Sequence, residues 1–219
     1  MTRFLIPIAA VALVAATAPR PWTAVAIPVS TGSYLVGNPK ARVKLVEYVS
    51  YTCPHCAHYA AESEQVLGAM VRSGSTSVEI RNQVHDGIDL AAATLARCSG
   101  AAAFPKVHAA FFQKQSEWAE RAAEWAAANR ARIESWPQLT QLAAVAEGAG
   151  LPAIARDAGA PAPAIAQCFA NDAAVKKTLA VSEATSKVQG TPAFEINGRL
   201  IQNVGWTQLL PQLRAAGAK

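Results

Sequence analysis

The chain has 219 residues and a formal charge of +5, from 20 Lys and Arg against 15 Asp and Glu. That length suffices for one sizeable core, or for one domain carrying a large insertion. The mild basic surplus is not gathered into any Lys/Arg cluster, which argues against nucleic acid as a partner.

The first residues read as an export signal. Arg3 supplies a positive start, Phe4 to Ala18 is an apolar run without charge, and Ala24-Val25-Ala26 offers small residues for cleavage. Cleavage after Ala18 would put Pro19 first in the mature chain, so the expected site follows Ala26 and residues 1–26 are assigned to the signal. An uncleaved anchor is the competing reading, although the run is short against the roughly 20 residues that span a bilayer. Removing the segment takes away Arg3 and Arg20 and no acid, leaving a net +3. No later stretch qualifies as a membrane helix, so the mature chain is expected to be soluble and periplasmic.

A loose stretch is expected over residues 27–33, before the turn signal Gly37-Asn38-Pro39. Residues 43–50 are strand-like, and Cys53-Pro54-His55-Cys56 follows them and opens a helix-like stretch from His58 to Val71. A second strand, 77–84, alternates apolar Val78 and Ile80 with charged Glu79 and Arg81. From Ile88 to about Thr185, Ala, Leu, Glu, Gln and Arg dominate, with breaks at Gly100, Phe104-Pro105, Trp136-Pro137, Gly148 to Pro152 and Gly159 to Pro163. That predicts four or five helices. Asn197-Gly198 then joins two short alternating runs, 193–196 and 199–201, as a hairpin, and a helix over 207–215 closes the chain. The order describes one α/β sheet, from residues 36–86 and 186–219, interrupted by an all-helical insertion over 87–185.

Cysteines at C-x-x-C spacing close a small ring, and Cys53 lies where a helix begins. Unpaired N–H groups and the positive end of the helix dipole favour a thiolate there, which makes redox chemistry the leading reading. Zinc usually needs a second close Cys/His pair, and Cys98 and Cys168 stand far apart in sequence. Covalent haem needs His directly after the second cysteine, where Ala57 stands. An inert Cys53–Cys56 bridge stays open. In an oxidising compartment disulfides persist. Cys98–Cys168 is the one further pairing that leaves the motif free, and sequence supplies no geometry for it.

The chain resembles the thioredoxin superfamily, and within it the DsbA-like thiol:disulfide oxidoreductases exported by bacteria. The marks are Gly37-Asn38-Pro39, Cys53-Pro54-His55-Cys56, the helical insertion, and Gly190-Thr191-Pro192 followed by the Asn197-Gly198 hairpin. They span nearly the whole mature chain. The resemblance implies a thioredoxin fold with an inserted all-helical domain, no cofactor and no metal. It implies Cys53 as the exposed nucleophilic sulfur and Cys56 as its buried partner, with Pro54 and His55 between them and His55 stabilising the Cys53 thiolate. Pro192 becomes a cis-proline facing the disulfide, and Thr191 offers its backbone to an extended substrate segment. Glu47, six residues before Cys53, matches the superfamily's buried carboxylate, and Cys98 and Cys168 match positions where some relatives carry a second disulfide. Two features depart from the pattern. Residues 85–89 lack a proline that many relatives carry, and Thr before the cis-proline is shared with isomerase-type members, where several oxidases have Val.

Other residues carry plainer readings. Glu47 interrupts an apolar strand, where a buried unpaired carboxylate is costly; it is either a proton relay for Cys56 or a residue at the wet edge of the sheet. His58, His85 and His108 read as surface or packing residues, and Trp118, Trp125 and Trp136 as core of the insertion.

The expected function is that of a monomeric periplasmic oxidase. It donates the Cys53–Cys56 disulfide to exported proteins with free thiols and is reoxidised by a DsbB-like, quinone-linked membrane oxidase. An isomerase or reductase on the same scaffold is the alternative; the chain shows no extra N-terminal dimerisation domain of the kind dimeric isomerases carry, which favours the oxidase. A third reading is a non-catalytic module that holds copper through Cys53 and Cys56.

Overall fold

The computed structural model describes residues 21–170 and 172–219; Arg3 and the apolar run from Phe4 to Ala18 lie outside them. Among the described residues no helix is long and apolar enough to cross a membrane. One sheet holds β1 (Ala26–Pro28), β2 (Tyr34–Gly37), β3 (Val43–Val49), β4 (Thr76–Asn82), β5 (Ala193–Ile196) and β6 (Arg199–Ile201), in the order β1-β2-β4-β3-β5-β6. Strands β3 and β4 are parallel and joined by helix α1 (Pro54–Arg72), while the other neighbours are antiparallel.

Strand β3 holds the middle of the sheet because its apolar residues face both ways. Leu45 and Val49 join the main core, whereas Val46 and Tyr48 join a smaller cluster with Val188 and Ala193. Helix α1 and the closing helix α9 (Trp206–Ala216) pack on the main-core side. There Tyr59 meets Phe194 and Trp206 with ring centroids 4.7 and 6.2 Å apart. The hairpin forms at Asn197 and Gly198, both at positive φ, as its dipeptide predicts.

Two strands precede those read from the sequence. The stretch expected to be loose carries Ile27 and Pro28 in β1, and β2 follows it, with Val36 buried and the Tyr34 ring 4.4 Å from that of Phe104. Strands of three and four residues are too short to show a period. Ala26 pairs with Val36, so the expected cleavage point falls inside a paired strand. Gly37 ends β2 at φ +109°, where a side chain would meet the Thr76 carbonyl at 3.1 Å.

Between β4 and β5 run α2 (Gly87–Cys98), α3 (Gly100–Gln113), α4 (Gln115–Ile133), α5 (Gln138–Ala149), α6 (Leu151–Asp157), α7 (Ala162–Gln167) and α8 (Ala173–Glu183), more helices than the four or five expected. The expected break at Phe104-Pro105 is absent. Helix α3 continues through Pro105, giving up one backbone hydrogen bond while fully burying Phe104 and Val107. The chain breaks instead at Lys114, without Gly or Pro to mark it. Trp118 is core, with Nε1 donating to the Phe111 carbonyl at 2.7 Å. Trp125 and Trp136 are only half-buried, against Gly148 and beneath the Arg132 guanidinium.

Cys98 and Cys168 are bonded, closing 70 residues of chain between α2 and the end of α7. A crosslink over so long a loop restricts the unfolded chain, so a Cys98→Ser/Cys168→Ser variant should lose about 2–4 kcal/mol in denaturant unfolding. Its thiol-exchange rate should match that of the parent; a slower rate would mean that the bond also shapes the site.

Candidate active site

Cys53 caps α1 with extended backbone (φ −80°, ψ 117°), and Pro54 takes the first helical position, where no N–H is needed. The first-turn N–H groups therefore remain available to the cysteine sulfur. The Cys56 thiol is its strongest donor, joined by the Thr191 side chain and the backbone N–H groups of Cys56 and His55; against the opposing effect of burial they lower the Cys53 pKa to about 5. Cys56, one turn on, is fully buried, and desolvation together with the neighbouring Cys53 pushes its thiol far up. Both are unbonded thiols. At neutral pH one is an anion and the other holds its proton.

The expected exposed sulfur is largely covered: Cys53 is only 8% exposed, although Cys56 is more deeply buried still. Its cover is the Thr191-Pro192 loop, whose peptide is cis and whose Thr191 carbonyl accepts from Cys53 Sγ at 3.2 Å. The His55 side chain lies at the surface, and its contact with the sulfur runs through its backbone N–H.

Glu47 is not at a wet edge. It lies on the central strand β3 and is 5% exposed. With Leu45 and Val49 it faces α1, where Cys56, Tyr59 and Ser63 form one buried stripe. The Tyr59 hydroxyl donates to Glu47 Oε1 at 2.6 Å, and Tyr59 is also coupled electrostatically to Cys56. Burial raises the Glu47 pKa to about 7, with the Tyr59 bond opposing. A groove of about 430 Å³ between α1 and α3, lined by Leu67, Ile80 and Phe112 among others, reaches this carboxyl.

Two residues that hold the approach to Cys53, Asp89 and Gln115, were not legible in the sequence, and a third, His108, packs in the core as its sequence reading allowed. Asp89, fully buried in the first turn of α2, accepts from the Ser50 hydroxyl at 2.6 Å, the Tyr51 N–H at 2.8 Å and the His85 N–H at 3.0 Å. Burial raises its pKa to about 6 despite those bonds. Gln115, at the start of α4, donates from Nε2 to the carbonyls of Tyr51 at 2.7 Å and Cys53 at 2.9 Å. His108 bonds the Tyr51 hydroxyl through Nδ1 at 2.9 Å, and burial lowers its pKa to about 4, so it is neutral. The spacing Asp86-x-x-Asp89 marks a helix start, and Asp86 does accept the Asp89 N–H at 2.8 Å. Nothing local tells that Asp89 faces Ser50. His58 is exposed beside Glu62, and His85 is exposed with Nε2 3.5 Å from Thr191 Oγ1. Among the described residues no group of three or more His, Cys, Asp and Glu could hold a metal ion.

Residues 30–215 match the family described as thioredoxin. A protein from Rickettsia prowazekii, provisionally named a protein-disulfide oxidoreductase, is 28% identical over 186 residues, 83% of this chain. One from Rickettsia typhi, with the same provisional name, is 28% identical over 189 residues. The chain spans 60% of the length of each of these curated relatives. Among solved structures, a protein-disulfide isomerase from Novosphingobium aromaticivorans is 35% identical, with 83% of this chain and 95% of that one covered and a TM-score of 0.73. The α-DsbA1 of Wolbachia pipientis shares the fold at 18% identity, with 87% and 92% covered and a TM-score of 0.63.

Proposed function

The chain belongs to the thioredoxin family, and from that premise we propose that it is a DsbA-type thiol:disulfide oxidoreductase working as an oxidase. A substrate thiolate attacks Cys53 Sγ of the oxidised protein, the Cys53–Cys56 bond breaks, and Cys56 leaves and takes a proton. A second substrate thiolate attacks the substrate sulfur of the mixed disulfide, and Cys53 leaves as a thiolate. Two substrate thiols are oxidised to a disulfide and the protein disulfide is reduced to the dithiol. Glu47 supplies the proton to Cys56 across Tyr59, and the groove gives the carboxyl its exchange with water. Thr191 and Pro192 dock the substrate chain, and Pro54 and His55 shape the first turn.

The observation that carries this reading is the contrast between Cys53, held down to about pH 5, and Cys56, held up. A pair whose reduced form is stabilised gives its disulfide away. The substrates are exported proteins with free thiols and the recycling partner is a DsbB-like, quinone-linked membrane oxidase; Arg3 and the apolar run after it support export to the periplasm. The Thr191 hydroxyl beside Pro192 and the name of the Novosphingobium aromaticivorans protein favour a second reading, a disulfide isomerase kept reduced.

Stoichiometric oxidised protein mixed with a reduced two-cysteine peptide separates them. The oxidase should convert the peptide to its disulfide within one turnover, and a Cys56→Ser variant loaded on Cys53 with an activated one-cysteine peptide should hold it as the mixed disulfide, since neither Cys56 nor a second substrate thiol can release it. A protein that leaves this peptide reduced but reshuffles a scrambled disulfide substrate is an isomerase.

A further inference from the structure

We propose that His85 is a positioning residue that sets how strongly Thr191 stabilises the Cys53 thiolate, and so how readily the pair gives up its disulfide. The inference rests on the thiol-exchange reading of this site and goes beyond it to a residue outside the motif and the cis-proline loop.

His85 stands in the loop between β4 and α2, its Nε2 3.5 Å from Thr191 Oγ1. Its place is fixed by Asp89. One carboxylate oxygen accepts both the His85 N–H at 3.0 Å and the Ser50 hydroxyl at 2.6 Å, and the other accepts the Tyr51 N–H at 2.8 Å. A single buried side chain thus ties the loop carrying His85 to the residues that lead into Cys53.

Thr191 is shared between the two loops. Its carbonyl accepts the Cys53 thiol at 3.2 Å, and its side chain is among the groups that favour the Cys53 anion. The hydroxyl carries one proton and faces two partners. When Nε2 of His85 is a bare acceptor, that proton is drawn to the ring and away from the sulfur. When Nε2 carries hydrogen, the hydroxyl oxygen accepts from the ring and its proton is free for the thiolate. Asp89 of α2 is coupled to the ring electrostatically, and Asp86 is next to it in the chain. A better-stabilised thiolate stabilises the reduced form and makes the pair more oxidising.

The test compares the parent, His85→Leu, His85→Gln, Thr191→Val and the His85→Leu/Thr191→Val double variant. In each, the Cys53 thiolate is titrated by its ultraviolet absorbance and the pair is equilibrated with glutathione. His85→Leu should raise the thiolate midpoint and shift the glutathione equilibrium about 3–10-fold toward the disulfide. His85→Gln, which keeps a side-chain donor, should recover part of that shift. In the Thr191→Val background, His85→Leu should change nothing further. Should His85→Leu fail to fold, His85→Gln and Thr191→Val still decide the matter by their midpoints. A parent with a low midpoint that neither His85 variant moves overturns this inference and leaves the oxidoreductase reading standing. An equal shift with and without the Thr191 hydroxyl overturns the route through Thr191. A parent whose Cys53 titrates as an ordinary thiol overturns both readings.

Discussion

Reduced protein titrated through the acid range should show a thiolate appearing with a midpoint near pH 5, and iodoacetamide should label Cys53 alone. At neutral pH about 99% of such a thiol is ionised, against a few per cent of an unperturbed one. The labelling rate should therefore be nearly flat above neutrality, where an ordinary cysteine is still accelerating. In a Cys53→Ser variant disulfide transfer should vanish, and the remaining Cys56 should alkylate at least about 100-fold more slowly than Cys53 does in the parent. The cause is positional. Cys53 has first-turn N–H groups, the Cys56 thiol and the Thr191 hydroxyl around it, while Cys56 is desolvated beneath it. The same shift has a sign in stability. Because the folded pKa is depressed from 9.0, the thiolate stabilises the reduced protein fully above about pH 9, and that contribution is lost as pH falls through about 5. The oxidised protein has no such group, so the stability difference between the two forms should shrink on acidification. Equal labelling of both cysteines, or a midpoint in the ordinary thiol range, would contradict this assignment.

Glu47→Gln should move stability and rate in opposite directions. Burial raises the folded pKa of Glu47 from 4.5 to about 7, so the native state holds its proton over a range where the unfolded chain has lost it. Stability from this group is fully present below about pH 4.5 and is lost as pH rises through about 7. The span corresponds to roughly 3 kcal/mol. Glutamine keeps the shape and cannot ionise, so the variant should exceed the parent by about 2–3 kcal/mol in denaturant unfolding on the alkaline side. The advantage should disappear in acid. The variant also lacks a proton to give to Cys56, and thiol exchange should slow by about 10–100-fold. An unchanged rate would remove the relay through Tyr59. A stability difference that does not vary with pH would mean that Glu47 is not desolvated.

The parts of this site that the sequence displays are those whose cause is local. Cys53 and Cys56 with a proline between them announce a helix start and Asn197-Gly198 announces a hairpin, whereas Thr191-Pro192 was placed at the site only by the resemblance to the thioredoxin superfamily. The residues that escape are held by contacts distant in sequence. Asp89 reaches the Tyr51 N–H across 38 residues and Gln115 reaches the Tyr51 carbonyl across 64. Side-chain to backbone bonds of that kind leave no periodicity behind. Helix α3 runs through Pro105 because Phe104 and Val107 bury on either side of it, a tertiary gain that outweighs the local propensity. Glu47 shows the middle case. Its place in an apolar strand was legible, but whether that strand was central or at an edge depended on β5 and β6, which lie about 150 residues further on.

The most direct test is the equilibrium of the Cys53–Cys56 pair against a glutathione series, measured on the Cys98→Ser/Cys168→Ser background so that two sulfurs alone report. The arrangement of donors around Cys53 predicts a strongly oxidising pair, with the reduced form favoured over most of the series. A value near −270 mV, in the range of reducing dithiols, would contradict it and leave the low Cys53 pKa without a consequence for disulfide donation.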